Sequence, residues 1–561
     1  MASNHHDCGI SRLGDLADEL LLCIIEQIDS RQTLHNLAAT CSRFQSLTEP
    51  FIWRSLLIVN GSDVPGLAHA LNSRLERISS VWDLAVRYNE KDEDGIELLN
   101  SLIPKMEKLR GLTIESPCPN NYGRGVGSFP NNFTRINYTR MFTDAVSGVQ
   151  PSPLPMLQSL NLHGHKNKAE PFLFGKTSFI LFHPTLKDLT ISCTDFEAEI
   201  TLEDIPKKNL KSTPLESLKF IECNIYLPLL SVALALPKAL KNLSIGERLH
   251  ALDGCMPKDH PDLPRTSHPR FLDELHKQAD SLENLTHSAG NAMLMQHYPI
   301  DINGESKLRG MTALKHLELD LSSPLCSYVR EHGLPESLEK VTLFDSSIAS
   351  ARFFGPAQFQ LILEAAHSVI IQRLSRSIDV DICWTAGLNP IANIDSFWTG
   401  DGNEAQQNRM AVYKIAAILK ARGSHLRLFG ERFEHGHAYI PPYMYGEDTP
   451  KRFLVYSSDK MFTFGHQNPE LNVPTDMGAP AVVTFWVYKE DHCRLPRELL
   501  AVCERCQATN AYCLNNGYGT GCFFCVNENH RCEYAPPSSP WNANVLGSDS
   551  TYTLESATCI P

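Results

Sequence analysis

Leu157-Gln-Ser-Leu160-Asn-Leu162, Leu186-Lys-Asp-Leu189-Thr-Ile191, Leu215-Glu-Ser-Leu218-Lys-Phe220 and Leu240-Lys-Asn-Leu243-Ser-Ile245 repeat one pattern: apolar, two residues, apolar, one residue, apolar. It stands again at Val81-Leu84-Val86, Leu109-Leu112-Ile114, Leu314-Leu317-Leu319 and Leu338-Val341-Leu343, and Leu282-Leu285 begins it before His287 fills the last place. Apolar residues two apart fit a short strand that sends both into a core and the residue between them to the other face. Starts separated by 28 residues (81 to 109), 29 (157 to 186 and 186 to 215), 25 (215 to 240) and 24 (314 to 338) make this a repeat; gaps of 48 (109 to 157) and 42 (240 to 282) read as insertions.

A period of 20 to 29 residues with this spacing resembles the leucine-rich repeats. The resemblance implies stacked units in a curved α/β solenoid whose outward strand positions line a concave surface. Those positions include Thr113, Asn161, His163, Thr190, Lys219, Ser244, Glu318 and Thr342. Asn161, His163, Thr190, Lys219 and Glu318 are the candidate contacts to a protein substrate, although each is also what an ordinary solvated strand position looks like. The Asn that usually follows each strand of the family is irregular here, which leaves the repeat subtype open.

Ahead of the repeats, Leu16, Leu20, Ile24 and Ile28 form one apolar row and Leu21 and Ile25 a second, the periodicity of a helix with Asp18 as its N-cap. A second segment, 32–39, carries Leu34, Leu37 and Ala38, and a third runs through Phe44 and Leu47 to Pro50, Phe51 and Trp53. Three short helices bury only a thin core, so an apolar row is left for a partner, or for capping the repeats behind. The run Leu16-Ala17-Asp18-Glu19-Leu20, Ile24, Ile28, Leu34, Leu37-Ala38, Cys41-Ser42-Arg43-Phe44, Leu47, Pro50 and Trp53-Arg54-Ser55-Leu56 resembles the F-box family along its length. That resemblance implies docking on the Skp adaptor, and through it cullin, with Leu16, Leu20, Ile24, Leu37 and Trp53 as contacts or their support. Ala17 stands where the family usually has Pro, which removes a fixed φ at the helix start.

Cysteine is used in two ways. Of seventeen, eleven are scattered from Cys8 to Cys559, as buried thiols in a reducing compartment are. The other six form Cys503-x2-Cys506-x6-Cys513-x8-Cys522-x2-Cys525-x6-Cys532. Two Cys-x2-Cys knuckles predict structural zinc. The full spacing resembles the fungal binuclear zinc cluster, which implies two zincs bridged by Cys503 and Cys522; a single zinc on Cys503, Cys506, Cys522 and Cys525 is the alternative. DNA-binding members are rich in Lys and Arg between the second and third cysteines, whereas residues 507–512 carry no positive charge. Two zincs with six thiolates carry a net −2, which repels phosphate.

The 561 residues exceed one compact core and favour several domains. With 42% hydrophobic and 20% charged residues the chain is an ordinary folded protein, and its net charge of −13 opposes attraction to nucleic acid or anionic lipid. The start, 1–10, lacks a secretory pattern, and the most apolar stretch, Ile225 to Leu236, is broken by Pro228 and too short to span a bilayer. The triplets at Asn132 and Asn137 therefore read as chance matches to a glycosylation signal. Between 352 and 498 the repeat fades: 359–367 and 410–422 have helical spacing, 452–456 and 481–488 are β-prone, and Asp379, Asp381, His435 and His437 read as surface residues. There is no phosphate loop, nucleophile elbow or His-Glu-x-x-His helix.

The expectation is an α/β protein with an F-box at 11–57, a leucine-rich-repeat-like solenoid at 75–350, an α/β continuation or cap at 351–498, a zinc segment at 499–535 and a Ser- and Pro-rich disordered tail at 536–561. As a function it predicts a non-enzymatic substrate receptor of an SCF-type ubiquitin ligase in cytoplasm or nucleus, with no membrane contact. A zinc-cluster transcription regulator is the other reading.

Overall fold

The structure is a computed structural model. It describes residues 13–88, 94–115, 136–147, 152–247 apart from 164, 167–169, 174 and 197–199, 266–289 apart from 267, 307–344 apart from 322, 363, 366, 376–384, 398, 403–432 apart from 421, 450–459, 462–467 and 484–487. The zinc segment at 499–535, the tail at 536–561, and His435 and His437 lie outside the described residues, as does most of 359–367. The chain forms two units: residues 1–172, 176–190 and 213–215, and residues 173–175, 191–212 and 216–561.

The first unit opens with α1 (Asp18–Glu26), α2 (Arg31–Ala38) and α3 (Ser42–Ile52). The Ser30 hydroxyl caps α2 by accepting from the Thr33 N–H at 3.3 Å. Ile25, Leu34 and Ile52 make the small shared core, with Ile28, Leu37, Ala38, Leu47, Phe51 and Trp53 packed against it. Next come β1 (Ser55–Ile58), β2 (Asp83–Arg87), β3 (Gly111–Glu115) and β4 (Ser159–His163), paired in parallel in chain order. Leu56, Leu84, Leu112 and Leu160 fall on one rung and Ile58, Val86, Ile114 and Leu162 on another, all buried. Parallel neighbours need crossovers, and α4 (Val64–Asn72), α5 (Leu75–Ser79), α6 (Leu99–Leu102) and α7 (Tyr138–Val146) lie in them. After a short hairpin of β5 (His165–Lys166) and β6 (Glu170–Leu173), β7 (Asp188–Ser192) pairs with β4.

In the second unit, β8 (Thr194–Phe196) pairs beside β9 (Ser217–Ile225). From β9 a parallel series continues in chain order through β10 (Asn242–Glu247), β11 (Asn284–Ser288), β12 (His316–Asp320), β13 (Lys340–Phe344), β14 (Asp379–Trp384) and β15 (Leu426–Arg432). β16 (Lys451–Ser457), β17 (Phe462–Gln467) and β18 (Thr484–Val487) then add antiparallel. The crossovers hold α8 (Leu227–Ala235), α9 (Phe271–His276), α10 (Pro324–His332) and the helix Asn403–Lys420. Helix α8 is the apolar stretch noted in the sequence and is buried but for Pro228; among the described residues no helix is long and apolar enough to cross a membrane.

Each full copy of the spaced apolar motif becomes a strand, and so does the copy that ends in His287. The parallel pairing also reaches past the limits of 75 and 350 expected for the repeats. β1 carries the motif as Trp53-Leu56-Ile58, while β14 and β15 form where Ser377 and Gly423 replace the first apolar residue, so spacing alone passes over them.

A recurrent backbone contact holds the register. Through most of the parallel series the carbonyl of the residue before one strand accepts the two amides that open the next. Arg54 O takes the Trp82 and Asp83 N–H at 2.8 and 3.0 Å, Trp82 O those of Arg110 and Gly111, and Arg110 O those of Gln158 and Ser159. Glu216, Lys241, Glu283 and Lys315 repeat the contact in the second unit. There the side chains at this place alternate in sign: Lys241 Nζ is 2.8 Å from Glu216, and Lys315 Nζ is 2.8 Å from Glu283. The hydrogen bond to Glu283, its charge and the further charge of Glu339 raise the Lys315 pKa.

His287 departs from the apolar rule at its rung. It is buried, with Nδ1 2.7 Å from the Ser323 hydroxyl, which itself caps α10. Burial pushes its pKa down to about 3. His183, in the first unit, is lowered to about 4 by burial, against an opposing hydrogen bond with the Leu154 backbone. An unfolded histidine titrates near 6.5, so below that pH the unfolded chain binds protons that the folded one refuses, and stability falls as pH drops toward the folded values. Urea unfolding of the second unit between pH 6 and 4 should show His287→Leu losing stability less steeply than wild type, by about 1.4 kcal/mol per pH unit. Equal slopes would assign the acid sensitivity to other groups.

Candidate functional site

The two apolar rows of α1 part company. Leu21 and Ile25 are 1% exposed, whereas Leu20 and Ile24, one turn apart, are 54% and 43% exposed, with Cys23 exposed between them and Leu13 exposed ahead of the helix. Fully burying one such side chain contributes roughly 1.5–3 kcal/mol, and about half of that is left unused at each of these two positions. Leu20 and Ile24 thus make a small exposed apolar pair on one turn of the helix.

The start of α1 is held from α3. Arg43 Nε and Nη2 donate to Asp18 Oδ1 at 2.9 and 2.7 Å, Nη2 also donates to Leu16 O at 2.7 Å, and Nη1 to Gly14 O. Asp18 is therefore the first helical residue and the partner of Arg43, while Ala17 takes the N-cap place without a side-chain bond. Ala17 has φ −62° and ψ 151°, and φ is the value that proline would impose. The departure from the F-box pattern at this position leaves the backbone path as it would be with proline.

The five adaptor residues named from sequence take two kinds of place. Leu20 and Ile24 are exposed; Leu16 is half-buried, and Leu37 and Trp53 are half-buried against the Ile25, Leu34 and Ile52 core. Arg77 lies over the Trp53 ring with its Cζ 5.0 Å from the centroid and donates to Glu49 at 2.6 Å, where Arg74 joins at 2.9 Å. Burial raises the Glu49 pKa, and the two arginines more than offset it, so the carboxyl sits below its ordinary value. Trp53 is in this way fixed from behind, as support for the helix face.

On the strands, Asn161 is exposed and donates to Thr113 Oγ1 at 3.3 Å, Thr190 is half-buried, and Lys219 is exposed. Glu318 is bound by Arg452 at 2.7 Å, which also reaches Glu431 at 3.2 Å. His163 does not face solvent: it is 3% exposed, because alternation fails at the fifth residue of the strand. Ser192, Asp320 and Cys383 are buried at the corresponding place. After β12 the reason is visible: the chain folds back over the strand end, with the Ser323 N–H at 2.9 Å and the Cys326 thiol at 3.3 Å from Asp320 O. Thr342 is also buried.

Asp381, expected at the surface, is instead 4% exposed and lies between Lys340 Nζ at 2.6 Å and Arg427 Nε at 2.7 Å. Burial, and then the Glu431 charge, raise the Cys383 thiol well above its ordinary range, so it is unreactive at neutral pH. Sequence reasoning had no access to the Glu318, Arg452 and Glu431 network, because it depends on the antiparallel return of β16. Among the described residues no cluster of His, Cys, Asp and Glu is placed to hold a metal, and Cys503, Cys506, Cys513, Cys522, Cys525 and Cys532 lie outside them.

Ala17 offers a direct check of the helix start. Its φ already suits proline and its N–H makes no hydrogen bond among the described residues, so Ala17→Pro should stabilise the three-helix region by about 0.4–1 kcal/mol. Urea unfolding followed by Trp53 fluorescence in a background lacking the other tryptophans measures it, and a destabilised variant would contradict this backbone path.

No protein-family model and no curated protein matches the chain, and the reading of its function rests on the residues described above.

Proposed function

We propose that this protein is the substrate-recognition subunit of an SCF-type cullin-RING ubiquitin ligase, with the three N-terminal helices acting as an F-box that docks on the Skp adaptor. The observation that carries the reading is the exposure of Leu20 and Ile24 on a helix whose adjacent row, Leu21 and Ile25, is closed into the core. Arg43 and Trp53 hold that helix from the side and from below, which is the preorganisation an interface anchor requires.

On this reading the parallel strands behind the helices are leucine-rich-repeat-like units that carry a protein substrate. Asn161, Thr190, Lys219 and Glu318 remain its candidate contacts, and His163 is withdrawn because it is buried. Ubiquitin transfer belongs to other subunits, and no residue of this chain needs a catalytic role. The six cysteines from Cys503 to Cys532 are read as ligands of structural zinc.

Co-purification of the full chain with the Skp adaptor tests the assignment. Wild type should retain adaptor, and Leu20→Asp with Ile24→Asp should lose it by at least tenfold while keeping its circular dichroism spectrum, since both side chains already face water. A wild type that retains none would refute the assignment. Metal analysis of the same preparation should return one or two zincs per chain, and a preparation free of zinc would remove the cysteine reading.

A further inference from the structure

The place before each strand that carries alternating Lys and Glu in the second unit is filled differently in the first. Arg54, Trp82 and Arg110 precede β1, β2 and β3, and the two guanidiniums lie over the Trp82 ring, with Cζ 4.0 and 4.2 Å from its centroid. The strands lie in the order β1, β2, β3, so the indole is between the two cations. In the second unit Lys241 and Lys315, at this same place, each have a glutamate on the neighbouring strand. Among the described residues neither Arg54 nor Arg110 has an ion-pair partner, and Arg110 Nε is buried without a hydrogen bond. Asp83, the acid that follows Trp82 in sequence, turns over Gly111 instead.

A guanidinium held over an indole face loses water from that face and is held in place by it. Two such cations without an acid partner among the described residues, in a chain of net charge −13, suit oxyanions supplied from outside. With Cζ atoms 4.0 and 4.2 Å from one ring centroid, the two guanidiniums are no more than about 8 Å apart, and the indole stands between them. The ring occupies the place midway between the two cations, so each cation is approached separately. Two acidic side chains two residues apart on an extended peptide lie on one face with Cα atoms about 6.6 Å apart, and their own length makes up the difference. The geometry points to Arg54, Trp82 and Arg110 as a recognition site for an acidic peptide segment with Glu or Asp at alternate positions, each arginine taking one carboxylate in a two-point contact. The site is independent of adaptor docking and stands whether or not α1 binds an adaptor.

The test is fluorescence anisotropy of the full chain with a fluorescein-labelled peptide of alternating Ser and Glu that contains three Glu, set against its Gln counterpart. Wild type should bind the Glu peptide, more weakly as salt rises, and not the Gln peptide. Arg54→Gln with Arg110→Gln should weaken binding at least tenfold, while Lys241→Gln, which removes a cation already paired, should leave it unchanged. Should the double Gln variant not fold, Arg54→Lys with Arg110→Lys keeps the charge and loses the planar fork, and binding should drop several-fold. No binding by wild type overturns the proposal, as does equal binding by wild type and a folded double variant.

Discussion

A parallel strand of five residues cannot stand alone: it buries two apolar side chains on one face and needs a neighbour on each edge to satisfy its backbone. Here the requirement is met by stacking in register, leucine on leucine along one rung and a branched or aromatic residue along the next. Through most of the series the carbonyl before one strand, shared by two amides of the next, locks that register. Everything that concerns recognition hangs on this lock, because it fixes which side chains face outward and which residues from distant parts of the chain become neighbours.

The strands were legible because their signal is local. Three apolar residues at fixed spacing decide both the existence and the facing of a strand, and each copy from Val81 to Leu343 yields one. The signal failed where burial is set by something farther off. His163 and Asp381 sit at or beyond the outward strand positions, yet the first is buried at the end of its strand and the second is closed in by Lys340 and Arg427. Strands β14 and β15 lacked the motif and were carried by the edge of their predecessors.

The N-terminal helices show the same division. Periodicity separated the two rows, and the structure buries Leu21 and Ile25 and leaves Leu20 and Ile24 of the other row exposed. It gave no means to see that Arg43 ties the start of the helix to three places at once, or that Ala17 adopts a proline-like φ. Such features depend on where α3 returns, a long-range fact that no window of sequence contains.

The alternation Glu216, Lys241, Glu283, Lys315, Glu339 has an arithmetic consequence for how this part of the chain can change in length. Removing one turn brings two like charges onto adjacent strands, about 4.8 Å apart, where each had been matched. Removing two restores the pattern. Insertion or loss of repeats within 216–339 is therefore favoured in pairs, a parity rule written in side-chain charge and invisible to the leucines that build the core.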